Sequence, residues 1–231
     1  MTTMLDQVTV IVPTRNETHN IPNLLRSLPP TVHLIAVDSS CDDTPNLIRE
    51  KRPENTRVVE CLATISEARQ IGAEMASTPW LLFTDADIAF AGDYFDHLPA
   101  ALTADLIYGP KLSATGYQAY YRWFSWGMEA LLWFGIPAAS GSNLIIHRDA
   151  FAAVGGFDLA LTVNEDTEIA FRVKRAGCRV AFDRRLRVTA TDHRRLDKGV
   201  VRKTLHSLAR GALLYSGLMP RRWRKRDWGY W

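Results

Sequence analysis

The chain has 231 residues, 47% of them hydrophobic, enough to bury a full core as one large domain or two small ones. Its first residues, Met1 to Gln7, are polar and Val8–Val12 is short, so no secretory signal is expected. The longest apolar stretch, Leu131 to Ile146, is broken by Gly135, Pro137, Gly141 and Asn143, which excludes a transmembrane helix. The net charge of +3 hides an asymmetry: residues 1–170 carry 10 Lys and Arg against 21 Asp and Glu (net −11), and residues 171–231 carry 18 against 4 (net +14). Such a basic end either neutralises the acidic part within one fold or meets an anion, whether phosphate or lipid headgroups. It contains no recognisable nucleic-acid reading motif, so a nucleic-acid partner is not expected. The three cysteines, Cys41, Cys61 and Cys178, are odd in number, widely spaced and without zinc-type pairing, and are read as reduced and structural in a cytoplasmic chain.

In chain order, Val8–Val12 reads as a strand, Pro13–Glu17 as a loop, and Ile21, Leu24, Leu25 and Leu28 as one face of a helix. Val32–Val37 is a second strand, followed by a turn-and-cap cluster from Asp38 to Thr44 that opens a helix near Pro45. Arg57–Glu60 is a short strand and Ser66–Ser77 a helix. Trp80 to Phe83 is an apolar run that leads directly into Asp85-Ala86-Asp87. The aromatic-rich segment Tyr117–Phe134 has helical spacing, which points to a core-facing helix. Ser140–His147 reads as a strand, Asp149–Val154 as a short helix, and Glu165–Ala176 as a helix ended by Gly177. Two strand-like pieces, Arg179–Asp183 and Leu186–Ala190, precede a helix from Gly199 to Leu218. The end, 221–231, is basic and aromatic.

Strands alternating with helices predict a mostly parallel, doubly wound α/β sheet, whose ligands bind beyond the carboxyl ends of the strands. Asn16, Asp38 and the Asp85/Asp87 pair each follow a predicted strand, so one crevice is expected to gather them. Two carboxylates projecting together from a strand end, roughly 5 Å apart, repel by about 3 kcal/mol at an effective dielectric near 20. A divalent cation offsets that repulsion and offers sites to a pyrophosphate.

Five features stand in order: Pro13 with Asn16-Glu17, then Asp38, Asp85-Ala86-Asp87, Gly155-Gly156-Phe157-Asp158 and Glu165-Asp166. With them, over roughly residues 8–195, the chain resembles the inverting family 2 glycosyltransferases of GT-A fold. The resemblance implies a donor that is a UDP- or GDP-linked sugar, with Pro13, Asn16, Glu17, Asp38, Arg69 and Asp85 on the nucleotide-sugar side. An acceptor-only carboxylate at Asp38 suits a base or ribose, although turn formation explains it as well. Asp85 and Asp87, with His193 as a third ligand, are expected to hold Mg²⁺ or Mn²⁺. Arg69, in Ala68-Arg69-Gln70 where the family often has Ala-Arg-Asn, either orients the donor or forms a surface ion pair. Asp166, beside Glu165 at a helix start whose dipole favours the ionised form, is the candidate catalytic base. Gly155-Gly156 either turns beside the acceptor or ends a helix.

The processive-synthase signature Gln-x-x-Arg-Trp is absent, so long-chain polysaccharide synthesis is not expected. The domain reading is a 1–195 glycosyltransferase unit, with a nucleotide-sugar half (1–110) and an aromatic-rich acceptor half (111–195). A basic amphipathic helix and tail follow over 196–231. That tail, with three Trp in its last nine residues, fits peripheral attachment at the inner face of the cell membrane and a sugar or lipid-linked acceptor. The rivals are a nucleotidyltransferase, disfavoured because Pro13–Glu17 lacks glycine, and a non-catalytic sugar-nucleotide or membrane-binding module.

Overall fold

The structure, a computed structural model, describes residues 4–192, 196, 199–220 and 224; of 201–203 it describes the backbone alone. Its elements in order are β1 (Val8–Thr14), α1 (Ile21–Ser27), β2 (His33–Asp38), α2 (Thr44–Lys51), β3 (Thr56–Glu60), α3 (Ile65–Met75), β4 (Trp80–Phe83) and β5 (Ile88–Phe90). Then follow α4 (Tyr94–Ala101), β6 (Leu106–Tyr108), β7 (Lys111–Ser113), α5 (Gln118–Trp133), β8 (Leu144–His147), α6 (Arg148–Ala153), α7 (Glu165–Arg175), β9 (Val180–Phe182), β10 (Val188–Ala190) and α8 (Val200–Tyr215).

All seven residues of β1 are buried, because both faces of the strand are covered. Val8, Val10 and Val12 enter the core that α1 closes with Ile21, Leu24 and Leu25. Ile11 enters the opposite core, with Phe83, Ile169 and Val173. The main sheet has the order β3-β2-β1-β4-β8-β6-β9. Its first four strands are parallel, β8 runs antiparallel to β4 and β6, and β9 is parallel to β6. A second sheet, β5-β10-β7, lies at the mouth of the first. The mostly parallel α/β architecture expected from the sequence is therefore present, and strands from both halves of the 1–195 span share one sheet.

Pro13 lies inside β1 without breaking it. Pairing of β1 with β4 ends at Ile11–Phe83, while pairing with β2 continues through Pro13–Val37 and Thr14–Asp38. Beyond Ile11 one side of β1 is thus an edge, where the missing N–H costs no ladder bond. That divergence of β1 from β4 opens the crevice.

Three expectations are corrected. Asp85 and Asp87 are not on an extended strand: β4 stops at Phe83, and residues 84–87 make a turn closed by the Ile88 N–H on the Asp85 carbonyl (3.3 Å). The aromatic segment is only partly core. Tyr121, Ser125 and Met128 face inward, while Trp123, Trp126 and Trp133 face solvent. The third is the stretch 88–113, where β5, α4, β6 and β7 arise without an element having been expected. The expected ligand His193 lies outside the described residues, as does the basic tail apart from Arg224, which pairs with Asp158 (3.1 Å).

Gly72 of α3 sits flat on β1. A Cβ there would lie 2.4 Å from Ile11 Cγ2, a fully buried branch with nowhere to turn. We predict that Gly72→Ala lowers the unfolding free energy by about 1–3 kcal/mol through overpacking, despite Ala's better helix propensity. A urea unfolding midpoint at or above wild type would contradict this packing.

Candidate active site

The crevice wall is built by loops that fasten to each other. Asn16 adopts the left-handed conformation (φ 56°), which asparagine tolerates better than most side-chain-bearing residues. Its N–H donates to Ser40 Oγ (2.8 Å) and its Oδ1 accepts from the Cys41 N–H (3.0 Å). The Glu17 N–H donates to Thr44 Oγ1 (2.9 Å), and the Glu17 carbonyl accepts from Asn20 and Ile21 to start α1. Asp38 is buried and accepts from Thr14 Oγ1 (2.5 Å), Ser40 Oγ (2.8 Å) and the Ser40 N–H (3.0 Å). Asn16, Glu17 and Asp38 therefore shape the turns at the ends of β1 and β2, and for Asp38 the turn-forming explanation fits its contacts. Beside them lies an open cavity of about 380 Å³, lined by Arg15, Ser39, Leu62, Thr64, Glu67 and Thr162. It sits where a doubly wound sheet places a ligand.

Helix α3 holds the centre. Thr64 and Glu67 form a capping box at its start, the Thr64 N–H reaching Glu67 Oε2 at 2.7 Å. On one face, at helical spacing, stand Ser66, Arg69 and Gln70. Ser66 Oγ donates to the Leu161 carbonyl, Gln70 Oε1 accepts the Phe157 N–H (3.0 Å), and Arg69 bridges two carboxylates. Arg69 Nη2 meets Asp85 Oδ1 at 2.7 Å and Nη1 pairs with Glu165 Oε1. Arg69 is neither exposed at the surface nor open to the crevice: its side chain is 2% exposed.

Burial works against the Arg69 charge, but Glu165 and Asp85 outweigh it and hold the guanidinium protonated. Burial also pushes the Glu165 carboxyl up, to about 7, with Arg69 pulling the other way. Glu165 thus faces Arg69 in the interior rather than the open site. Arg69 gives Asp85 a positively charged partner within the protein itself.

Around Asp85 the structure gathers residues that no motif announced. Ser142 Oγ donates to Asp85 Oδ2 (2.5 Å), and Lys111 Nζ donates to Ser142 Oγ (2.8 Å). Gly141 packs directly on Arg69, where a Cβ would meet the guanidinium at 2.3–2.5 Å. A side chain there would displace the guanidinium from its carboxylates, and the Gly141 N–H donates to Asp166 Oδ2 (2.6 Å). The Thr167 N–H fixes the other oxygen of Asp166 (2.7 Å), so the carboxylate is oriented at the start of α7. Asn164, the preceding N-cap, is left-handed (φ 66°) and accepts from Arg210 Nε of α8 at 2.9 Å. Gly155 and Gly156 are both left-handed (φ 77° and 72°), which favours glycine, and Gly156 lies against the Gln70 amide. Ser142 and Lys111 had no sequence signal, because Ser and Lys are common and their partners lie far along the chain.

Asp85 and Asp87 carry hard carboxylate oxygens of the kind Mg²⁺ and Mn²⁺ prefer. Among the described residues no group of three or more His, Cys, Asp or Glu stands ready to hold a metal alone. That donor set fits an ion completed by substrate phosphates and water, as Mg²⁺ sites commonly are. The Asp87 carbonyl is anchored by Thr191 (N–H at 2.8 Å, Oγ1 at 2.9 Å), which ties the acidic turn to the end of β10.

The mostly parallel sheet, with an acidic turn after β4 and an acidic start to α7, is an α/β fold of the GT-A type. The family model described as Glycosyl transferase family 2 matches residues 9–155, and the chain belongs to that family. A second model, Glycosyl transferase family 21, matches residues 122–210. The succinoglycan biosynthesis protein ExoA of Rhizobium meliloti (strain 1021) is 24% identical over 195 residues, 74% of this chain and 59% of that protein. The chain therefore spans less than two thirds of that relative's length.

The fold resembles that of S. aureus TarS, with a TM-score of 0.67 and 18% identity over 80% of this chain and 37% of that one. A TarS 1–349 structure in complex with UDP-GlcNAc gives 0.65 at 18% identity, over 81% of this chain and 59% of that one. The mannosyltransferase PcManGT from Pyrobaculum calidifontis, in complex with GDP-Man and Mn²⁺, gives 0.64 at 21% identity, over 80% and 56%.

Removing Arg69 alone strands the buried Glu165 carboxylate, and breaking a buried pair typically costs about 3–5 kcal/mol. We predict that Arg69→Met loses stability on that order, and that Arg69→Met with Glu165→Met recovers much of it. Denaturant unfolding of the single and double variants measures the difference; equal loss in both would contradict the buried bridge.

Proposed function

We propose that the chain is the transfer domain of an inverting, metal-dependent glycosyltransferase. It would move a sugar from a nucleotide-diphospho sugar to an acceptor hydroxyl or a lipid-linked phosphate. The observation that carries this reading is the Arg69 bridge, which draws the acidic turn of residues 85–87 and the Glu165-Asp166 helix start to the mouth of one crevice. The nucleotide would lie along the ends of β1, β2 and β3, in the cavity beside Arg15 and Ser39. That relatives of this fold are found with UDP-GlcNAc and with GDP-Man and Mn²⁺ supports a nucleoside diphosphate there.

Asp85 and Asp87 would hold Mg²⁺ or Mn²⁺. When bound, such an ion neutralises charge on the departing diphosphate. Ser142 and Arg69 fix the Asp85 carboxylate, so the site would be preorganised before the donor arrives. Asp166, oriented by the Gly141 and Thr167 N–H groups, would take the proton of the acceptor hydroxyl as its oxygen bonds to the anomeric carbon. The bond to the diphosphate oxygen breaks, and its electron pair leaves with the nucleoside diphosphate. Glu165 and Arg69 act through these groups as positioning residues. A phosphate acceptor is already ionised and would not need the base.

Two measurements test this. In a thermal-shift screen, UDP- or GDP-sugars should raise the melting temperature only with Mn²⁺ or Mg²⁺, and Asp85→Ala should abolish the shift. Transfer to a hydroxyl acceptor should fall by about 10²–10⁴ in Asp166→Asn with the donor shift retained. Full transfer by both variants would refute the assignment.

A further inference from the structure

We propose that the joint outer face of α5 and α8 is a membrane-contacting surface that takes anionic phospholipid headgroups and their upper acyl region. Trp123, Trp126 and Trp133 of α5 are 54%, 63% and 76% exposed, and Phe134 just beyond it is 81% exposed. They fall at spacings of three and seven residues, with Ala130 between, so they form one solvent-facing stripe opposite Tyr121, Ser125 and Met128 in the core. A helix apolar on both faces has a second environment to occupy.

Helix α8 continues the surface. Leu205 and Leu208 are 63% and 57% exposed, with Ala209 and Ala212 on the same side. The two helices are joined near their starts by a hydrogen bond between Tyr120 and Thr204, and near their ends by Tyr215 Oη donating to the Pro137 carbonyl (2.6 Å).

Charge chooses the occupant. Glu129 is the sole acidic residue in the two helices, and it is paired with Arg184 (2.8 Å). Among the described residues, Arg122 is an exposed cation on α5, and Arg175 of α7 stands over the Phe171 ring that packs on Tyr215 of α8. A second copy of this chain would set like charges on like. An anionic lipid surface complements them, and tryptophan at the water–acyl boundary is the usual interfacial anchor. Each helix has 16 residues and is about 24 Å long, short of the roughly 30 Å a span needs. No helix among the described residues is long and apolar enough to cross a membrane, so the contact is interfacial.

The surface adjoins the acceptor side. From Phe134 the chain runs through Pro137 to Gly141, whose N–H orients Asp166, and Arg210 of α8 holds the N-cap of α7. That a lipid-borne acceptor would thereby arrive level with Asp166 rests on the transfer reading above; the surface itself does not.

The test is flotation of the full-length chain with phosphatidylcholine vesicles, with and without phosphatidylglycerol, which needs neither donor nor activity. The wild type should float with the anionic vesicles. Trp126→Ser with Trp133→Ser should reduce the partition coefficient about tenfold or more, because binding scales with buried apolar area. Both side chains face solvent, so the melting temperature should hold. Should it fall, Leu205→Ser with Leu208→Ser asks the same question from α8. The proposal is overturned if the wild type does not float, if a folded variant floats equally, or if sedimentation equilibrium finds a dimer that the tryptophan variant dissolves.

Discussion

The buried guanidinium of Arg69 is the charge on which this site depends. An acidic turn and a buried acidic helix start cannot converge at low cost without a cation between them. A planar fork with fixed donors can face both at once, which a lysine ammonium cannot do as well. Glu165 takes one arm and Asp85 the other, and Gly141 gives the room. Arg69 reaches the acidic turn only by fixing Asp85. Its own atoms are enclosed.

The bridge is one rung of a larger seam along α3. Ser66, Arg69 and Gln70 each reach across to the 156–165 segment, through Leu161, Glu165 and Phe157 respectively. The departure Gln70, where the resembling family often carries Asn, has a physical use here. The longer amide reaches the Phe157 N–H and packs against Gly156. Behind α7, Arg210 and Tyr215 of α8 brace the same corner, so the C-terminal helix belongs to the support of the site.

Strands and helices with long apolar periodicity, β1 to β4 and α1 to α3, were legible because their burial is written into consecutive residues. Strands β5, β6 and β7 were not: each has three residues, and two of them pair with β10, about 75 and 100 positions away. Helix α4 carries Pro99 in its interior, which weakens the pattern of an ordinary helix. The segment 117–134 was legible as a helix, but not its outward aromatics, since periodicity reports a core face and is silent about what covers the other.

By itself the sequence determined the α/β alternation, the membership of family 2 that its ordered acidic motifs announced, and the helix start at Glu165-Asp166, because residue type and local spacing fix strands and helix starts. Tertiary structure decided what those residues touch. It turned Asp38 into a buried turn acceptor, set Asp85 and Asp87 on a turn rather than a strand, enclosed Arg69, and recruited Ser142 and Lys111. The physical reason is that a carboxylate's role follows from its partners and burial, and those come from chain segments tens of residues away that no local pattern encodes.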